Sequence, residues 1–180
     1  FSPPIYRKRI FFKEPQRGDL VVFKTPSDNR TDYIKRLIGM PGDTLQFING
    51  DIYLNKKKIT KNKIEDNMSI RCGKINFPVK IYEEILPNGV KYKAVYNSAG
   101  TLQNTDVYTV PDNNYFLLGD NRDCSKDSRF LSSVGYVHKD NLVGKARFIF
   151  FSSDKSIGSI FAFWKWNKSI RFDRFFKKII

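Results

Sequence analysis

The dipeptide Asn49-Gly50 lies between two runs of strand formers, in "TLQFINGDIYLNKKKI". A two-residue hairpin turn of the favoured type needs positive φ at both central positions, and Asn-Gly meets that need better than almost any other pair. The surrounding segment is therefore read as an antiparallel hairpin, with a second turn near residues 55–57. Similar punctuation recurs on either side. Arg17-Gly18-Asp19 opens "LVVFK", a strand over Leu20–Lys24, and is turn chemistry rather than an adhesion motif. "TPSDNRT" is a loop, and "DYIKRLIG" is the next strand, closed by Pro41-Gly42-Asp43. Residues 60–110 are rich in lysine and asparagine, with short strands expected at 80–85, 91–96 and 107–110. "NYFLLGDNRDCSKDSRF" reads as a strand running into a polar loop, and a long final strand is expected over 142–151. A short edge strand is expected at 10–12 in the proline-containing lead-in. The fold class is mainly β: an antiparallel, barrel-like domain formed by residues 1–59 and 111–151, a small β-subdomain inserted at 60–110, and a basic aromatic tail at 152–180.

Sixteen Phe, nine Tyr and a hydrophobic fraction of 41% are enough for a folded core. The net charge of +14 implies an anionic neighbour: nucleic acid, acidic lipid or an acidic protein. In the tail, Trp164, Trp166, Phe172, Phe175 and Phe176 stand among six cations. That mixture suits an anionic lipid surface, where rings sit at headgroup depth and cations meet phosphate; it also suits a last element packed on the fold with its lysines in water. No apolar run reaches 18 residues, so no membrane-crossing helix is expected within these residues. The chain starts at Phe1 and reads as the remainder of something longer. Cys72 and Cys124 allow one disulfide or none.

Lys35 is the unusual residue. Side chains alternate along a strand, so Tyr33, Lys35 and Leu37 share one face, and Asp32, Ile34, Arg36 and Ile38 share the other. Apolar neighbours at both i−2 and i+2 would desolvate the amine and favour its uncharged form. A lysine that works as a base near neutrality needs roughly 4 kcal/mol of such bias, which the rest of the fold must offset. Taken alone, the residue also fits a lysine whose stem is buried and whose head reaches water.

The second unusual stretch is "GDNRDCSKDSR", residues 119–129, which holds three Asp, three cations, two Ser and one Asn. A calcium loop does not fit, because Arg122 and Cys124 fall where oxygen ligands belong. An ion-paired scaffold does fit: Asp123 and Asp127 can bind Arg36, Arg122 or Arg129, leaving Ser125 to exchange a hydrogen bond with a neutral amine. His138 is the single histidine and is expected in solvent. There is no G-x-S-x-G elbow, no phosphate loop and no dinucleotide motif, and two cysteines with one histidine cannot complete a zinc site without carboxylates. No cofactor and no metal are expected.

The blocks "RGDLVVFK", "DYIKRLIGMPGD" and "GDNRDCSKDSR", followed by "GYV" and "LVGKA", resemble the type I signal peptidases (leader peptidases) of bacteria over residues 17–59 and 111–151. The resemblance implies a serine–lysine protease that removes signal peptides from exported preproteins after small residues, as in Ala-x-Ala, at the outer face of the bacterial inner membrane. Lys35 would be the general base and Ser125 the residue that orients its amine. Arg36, Asp123, Asp127 and Arg129 would support the loop. Asp32, Tyr33 and Ile34 would line a cleft where substrate adds as an extended strand. The family's nucleophile lies in a Ser-Met-x-Pro-Thr type motif. No serine of residues 1–180 has that setting, Ser2 included, so the chain is expected to be inactive by itself. The closely spaced cysteine pair of the family's subdomain is also absent, which favours free thiols at Cys72 and Cys124. The expected partners are signal peptides and anionic lipid, without nucleic acid. The alternative is a basic nucleic-acid-binding β-domain, which rests on charge and explains neither Lys35 nor the 119–129 loop. A repressor-type Ser-Lys autoprotease would need an Ala-Gly cleavage site in a linker, and Ala99-Gly100 lies in the inserted subdomain.

Overall fold

The computed structural model describes residues 13–97, 100, 103–150, 152, 171 and 174–179. In chain order its strands are β1 (Leu20–Lys24), β2 (Asp32–Gly39), β3 (Thr44–Ile48), β4 (Asp51–Leu54), β5 (Lys57–Lys58), β6 (Thr60–Cys72), β7 (Ile75–Ile85), β8 (Lys91–Asn97), β9 (Tyr108–Thr109), β10 (Asn114–Leu118), β11 (Val137–His138) and β12 (Leu142–Lys145). They form three sheets, ordered β11-β10-β2-β1-β12, β5-β4-β3-β9 and β6-β7-β8, and every strand pairing within them is antiparallel. The mainly antiparallel β class is thus as expected, with open sheets rather than a closed barrel.

The Asn49-Gly50 hairpin forms as read. Both residues have positive φ, 50° and 76°, and Ile48 pairs with Asp51 across the turn. The second turn is built the same way: Asn55 and Lys56 have φ of 50° and 65°, and Leu54 pairs with Lys57.

β2 organises the centre. Its first half alternates between exposed and half-buried positions, whereas Arg36, Leu37, Ile38 and Gly39 are all buried. The reason is that two apolar clusters flank the second half. Leu37 packs with Val21, Phe23, Tyr115 and Leu117 on one side. Ile38 packs with Leu45, Phe47, Phe116 and Leu118 on the other. Between the Leu37–Leu117 and Gly39–Phe116 pairs β2 spends one residue more than β10, a bulge at Ile38, while alternation along the strand sends Leu37 and Ile38 into opposite cores.

The segment 60–110 differs from the sequence reading in extent. β7 begins at Ile75 rather than at 80, and β6 was not anticipated. "TKNKIEDNMSIRC" has few strand formers. It is held by register with β7, from Thr60–Ile85 to Cys72–Ile75, around a turn at Gly73, with two irregularities on the way. The root of this sheet enters the main core, since Leu86, Tyr92 and Ala94 pack in one cluster with Ile38, Leu45 and Phe47.

The expected strand over 142–151 stops at Lys145. Residues 1–145 form one compact unit and 146–180 another. In the second unit Phe148 bridges Lys178, Phe176 N donates to Ile149 O at 2.8 Å, and the Phe150 and Phe176 rings meet edge-on at 6.1 Å. The expected edge strand at 10–12, and Trp164, Trp166 and Phe172 of the tail, lie outside the described residues.

Candidate active site

Lys35 emerges from β2 on the face shared with Tyr33 and Leu37, as alternation requires. Tyr33 packs edge-on against Phe23 at 6.1 Å, and the Lys35 Nζ lies 5.1 Å from the Tyr33 ring centroid. The amine is half-buried, and burial pushes its pKa down; Asp127 and Asp120 pull it back up, and Arg129 pushes it down again. These charges come from the 119–129 loop, so that loop lies beside the lysine.

Arg36 points to the opposite face and is 2% exposed. Its Nε and Nη2 donate to the two carboxylate oxygens of Asp120 at 2.8 Å each, and Nη1 donates to Gly18 O at 2.8 Å. Asp127 pairs with Arg129 in the same two-pronged manner, at 2.8 and 2.9 Å, and also accepts from Gly119 N at 3.0 Å. The ion-paired scaffold exists, with different partners for two residues. Arg36 takes Asp120 rather than Asp123 or Asp127. Asp123 accepts from the backbone N–H of Asn97 at 2.7 Å.

Arg122 is 1% exposed, and its partner, Glu84 on β7, was not anticipated. Nη1 and Nη2 of Arg122 meet the two Glu84 oxygens at 2.7 Å each, and the hydroxyls of Tyr92 and Tyr96 complete the cluster. Burial works against the Glu84 carboxylate, but the guanidinium and the two phenols hold its pKa below the ordinary value. No local pattern could have revealed this pair, because 38 residues separate its members. Asp120 was legible as part of the charged loop. Cys72 and Cys124 form a disulfide, with Cα atoms 5.8 Å apart, which corrects the expectation of free thiols.

Ser125 follows the short 3₁₀ turn Arg122–Cys124 in extended conformation. Its hydroxyl is buried and has no hydrogen-bond partner among the described residues. Gly119 explains how the hydroxyl fits. A Cβ on residue 119 would lie 1.9 Å from Ser125 Oγ. Leu118, the last residue of β10, pairs with Arg36, so the chain leaves the sheet at Gly119, one step beyond that pair. The Ser125 hydroxyl thus occupies the space that a larger residue 119 would fill.

The remaining cleft candidates lie on the first half of β2. Asp32 is exposed and pairs with Lys24 at 3.2 Å, Ile34 is 47% exposed, and Tyr33 is half-buried. β1 pairs with Asp32 through Arg36, whereas β10 pairs only from Arg36 onward. Among the described residues, the backbone of Asp32–Lys35 therefore has a strand on one side alone. His138 is partly exposed, with Asp140 as its neighbour, and stands on β11.

A half-buried amine whose pKa is lowered by burial gives up its proton more readily than an exposed lysine, and an open strand edge can take an extended peptide. The family described as "Signal peptidase, peptidase S26" matches residues 4–151. Signal peptidase I of Rickettsia typhi is 40% identical over 191 residues, covering 98% of this chain and 70% of that protein. Signal peptidase I of Rickettsia conorii is 42% identical over 193 residues with the same coverage. A crystal structure of a signal peptidase I from Enterococcus faecalis is 28% identical, covers 74% of this chain and 97% of its own, and superposes with a TM-score of 0.45. With the family matched over most of its length and relatives of this identity spanning nearly all of it, the chain belongs to the signal peptidase family, peptidase S26.

Proposed function

We propose that this protein is a serine endopeptidase that removes signal peptides from exported preproteins, cutting after small residues in an Ala-x-Ala pattern. Uncharged Lys35 is the general base. Its Nζ takes the proton of the nucleophilic serine as that oxygen attacks the scissile carbonyl, then returns it to the departing amine. Ser125 holds the amine in line through its hydroxyl. Arg36, Asp120, Asp127 and Arg129 fix the loop. Asp32, Tyr33 and Ile34 line the cleft, and the open edge of β2 pairs with the substrate backbone. No serine of residues 1–180 stands in the family's nucleophile setting, so the nucleophile is assigned to none of them. No metal or cofactor enters the reaction.

One observation carries the reading: a lysine whose burial lowers its pKa lies beside a loop whose serine hydroxyl is buried and, among the described residues, unpartnered. The test is Lys35→Ala in the protein at its full natural length, assayed for preprotein cleavage after Ala-x-Ala. Cleavage should be lost while the fold persists, and unchanged turnover would refute the assignment. The basic tail at 152–180 is proposed to rest on anionic lipid at the outer face of the inner membrane, a reading supported by exposed Phe176 within it and exposed Phe148 and Phe150 just before it. Deleting residues 160–180 should weaken binding to anionic vesicles; equal binding would favour a packed tail.

A further inference from the structure

The strand β8 carries more than its own sheet. Five consecutive residues of the catalytic loop each connect to the three-stranded sheet β6-β7-β8. Asp120 O accepts from Val95 N at 2.8 Å, and Asn121 forms a parallel bridge with Val95. Arg122 is clasped by Glu84, Tyr92 and Tyr96. Asp123 accepts from Asn97 N at 2.7 Å. Cys124 is bonded to Cys72 at the far end of β6. Ser125 comes next, and among the described residues its own hydroxyl has no hydrogen bond to hold it. After it, the loop is anchored to the other sheet instead: Asp127 takes Gly119 N, and Ser128 Oγ takes Leu117 N at 2.9 Å. Ser125 is thus suspended between two sheets.

We infer that the inserted three-stranded sheet is a template for the catalytic loop, and that the Arg122–Glu84 cluster and the Cys72–Cys124 disulfide are positioning elements that hold the Ser125 hydroxyl toward Lys35. The inference rests on the proposed roles of Lys35 and Ser125. Its physical content is that five tethers fix the approach of the chain to residue 125, so the hydroxyl is placed by its neighbours rather than by its own contacts. A loop released from β8 would let Ser125 swing and water reach the amine, favouring the charged lysine. Among the described residues, the groups that act on Lys35 are Tyr33 from its own strand, by ring contact, and Asp120, Asp127 and Arg129 from the loop, by their charge. Of these, Asp120 lies inside the tethered stretch, so both hydration and charge around Lys35 depend on it.

The test is the pH profile of kcat/KM for preprotein cleavage by the protein at full natural length. Three samples are compared with wild type: the Cys72→Ala/Cys124→Ala variant, Ser125→Ala, and wild type treated with dithiothreitol. In the last, the dithiol gives two electrons and two protons to the disulfide, leaving two cysteine thiols and a cyclic oxidised dithiol. Breaking the tether should move the acid limb of the profile to higher pH by about half a unit or more, and lower the rate on that limb about threefold or more. A merely structural disulfide lowers the melting temperature and leaves the limb in place. If the limb stays fixed in both disulfide-free samples while Ser125→Ala moves it, the template idea fails and the dyad reading stands. If Ser125→Ala itself leaves the limb in place, the role of Ser125 fails, and the template inference with it. Should the double variant not fold, the dithiol-treated enzyme decides the matter alone, with thiol titration confirming reduction.

Discussion

Gly119→Ala is a sharp probe of the site, because the backbone does not object to it: Gly119 is not among the glycines with positive φ. The obstacle is Ser125. The added Cβ would lie 1.9 Å from its Oγ and 2.4 Å from its Cβ, whereas real contacts of this kind almost never fall below 3.0 Å. Ser125 must therefore retreat by about 1 Å, and a displacement of that size at a catalytic group can cost about 100-fold in rate. Overpacking should also cost about 1–3 kcal/mol of stability. The design becomes decisive with Ser125→Gly, which removes both clashing atoms. The next contact of the new methyl is then Asp127 Oδ2 at an ordinary 3.6 Å. In the double variant stability should return while activity stays low, a coupling of about 1–3 kcal/mol in a double-mutant cycle. Urea denaturation and kcat/KM on a preprotein substrate read the two quantities separately. If Gly119→Ala retains wild-type kcat/KM, or if Ser125→Gly fails to relieve its stability loss, then Ser125 does not sit over Gly119 and the geometry argued above is wrong.

Three other outcomes are expected. Glu84→Gln leaves Arg122 buried without its counter-charge and should cost about 3–5 kcal/mol in urea denaturation, more than any exposed ion pair in the chain. Arg36→Lys cannot reproduce the two-pronged grip on Asp120 or the contact with Gly18 O, and should cost about 2 kcal/mol by the same measurement. Lys35 has a lower pKa folded than unfolded, so between the two values the unfolded chain holds the extra proton and stability rises with pH. It should level off above the ordinary lysine value of about 10.4, and Lys35→Met should flatten that rise; an unchanged slope would count against a desolvated amine.

What the sequence disclosed follows from how local each signal is. The Asn49-Gly50 hairpin depends on two backbone angles, and those are properties of two residues. The faces of β2 depend on period-two alternation, which placed Lys35 with Tyr33 and Leu37 and sent Arg36 the other way. The choice of ion partners depends on packing between segments. Asp120, Asp123 and Asp127 are equivalent carboxylates by composition, and only the path of the loop along β8 decides that Asp120 faces Arg36 while Asp123 faces a backbone N–H. Glu84 lies in a run that reads as ordinary strand surface, and it is buried because Tyr92 and Tyr96 close over it from β8. β6 escaped notice because pairing with β7, rather than its own residues, makes it a strand.

The charges around Lys35 pose a problem that the fold answers by pairing. The role proposed for Lys35 needs an uncharged amine, yet two aspartates lie close enough to favour its ammonium form. They cannot simply be absent: Asp127 receives Gly119 N, and Asp120 secures Arg36 to the loop. Each is instead matched by a guanidinium in two-pronged contact, Asp120 by Arg36 and Asp127 by Arg129, and the Arg129 charge also opposes their pull on the amine. What remains is burial, which dominates and lowers the lysine's pKa. Buried ion pairs contribute little net stability compared with well-packed apolar residues. Their value here lies in directional contacts that shape the loop while giving each carboxylate near the amine a guanidinium partner, a combination that apolar side chains could not supply.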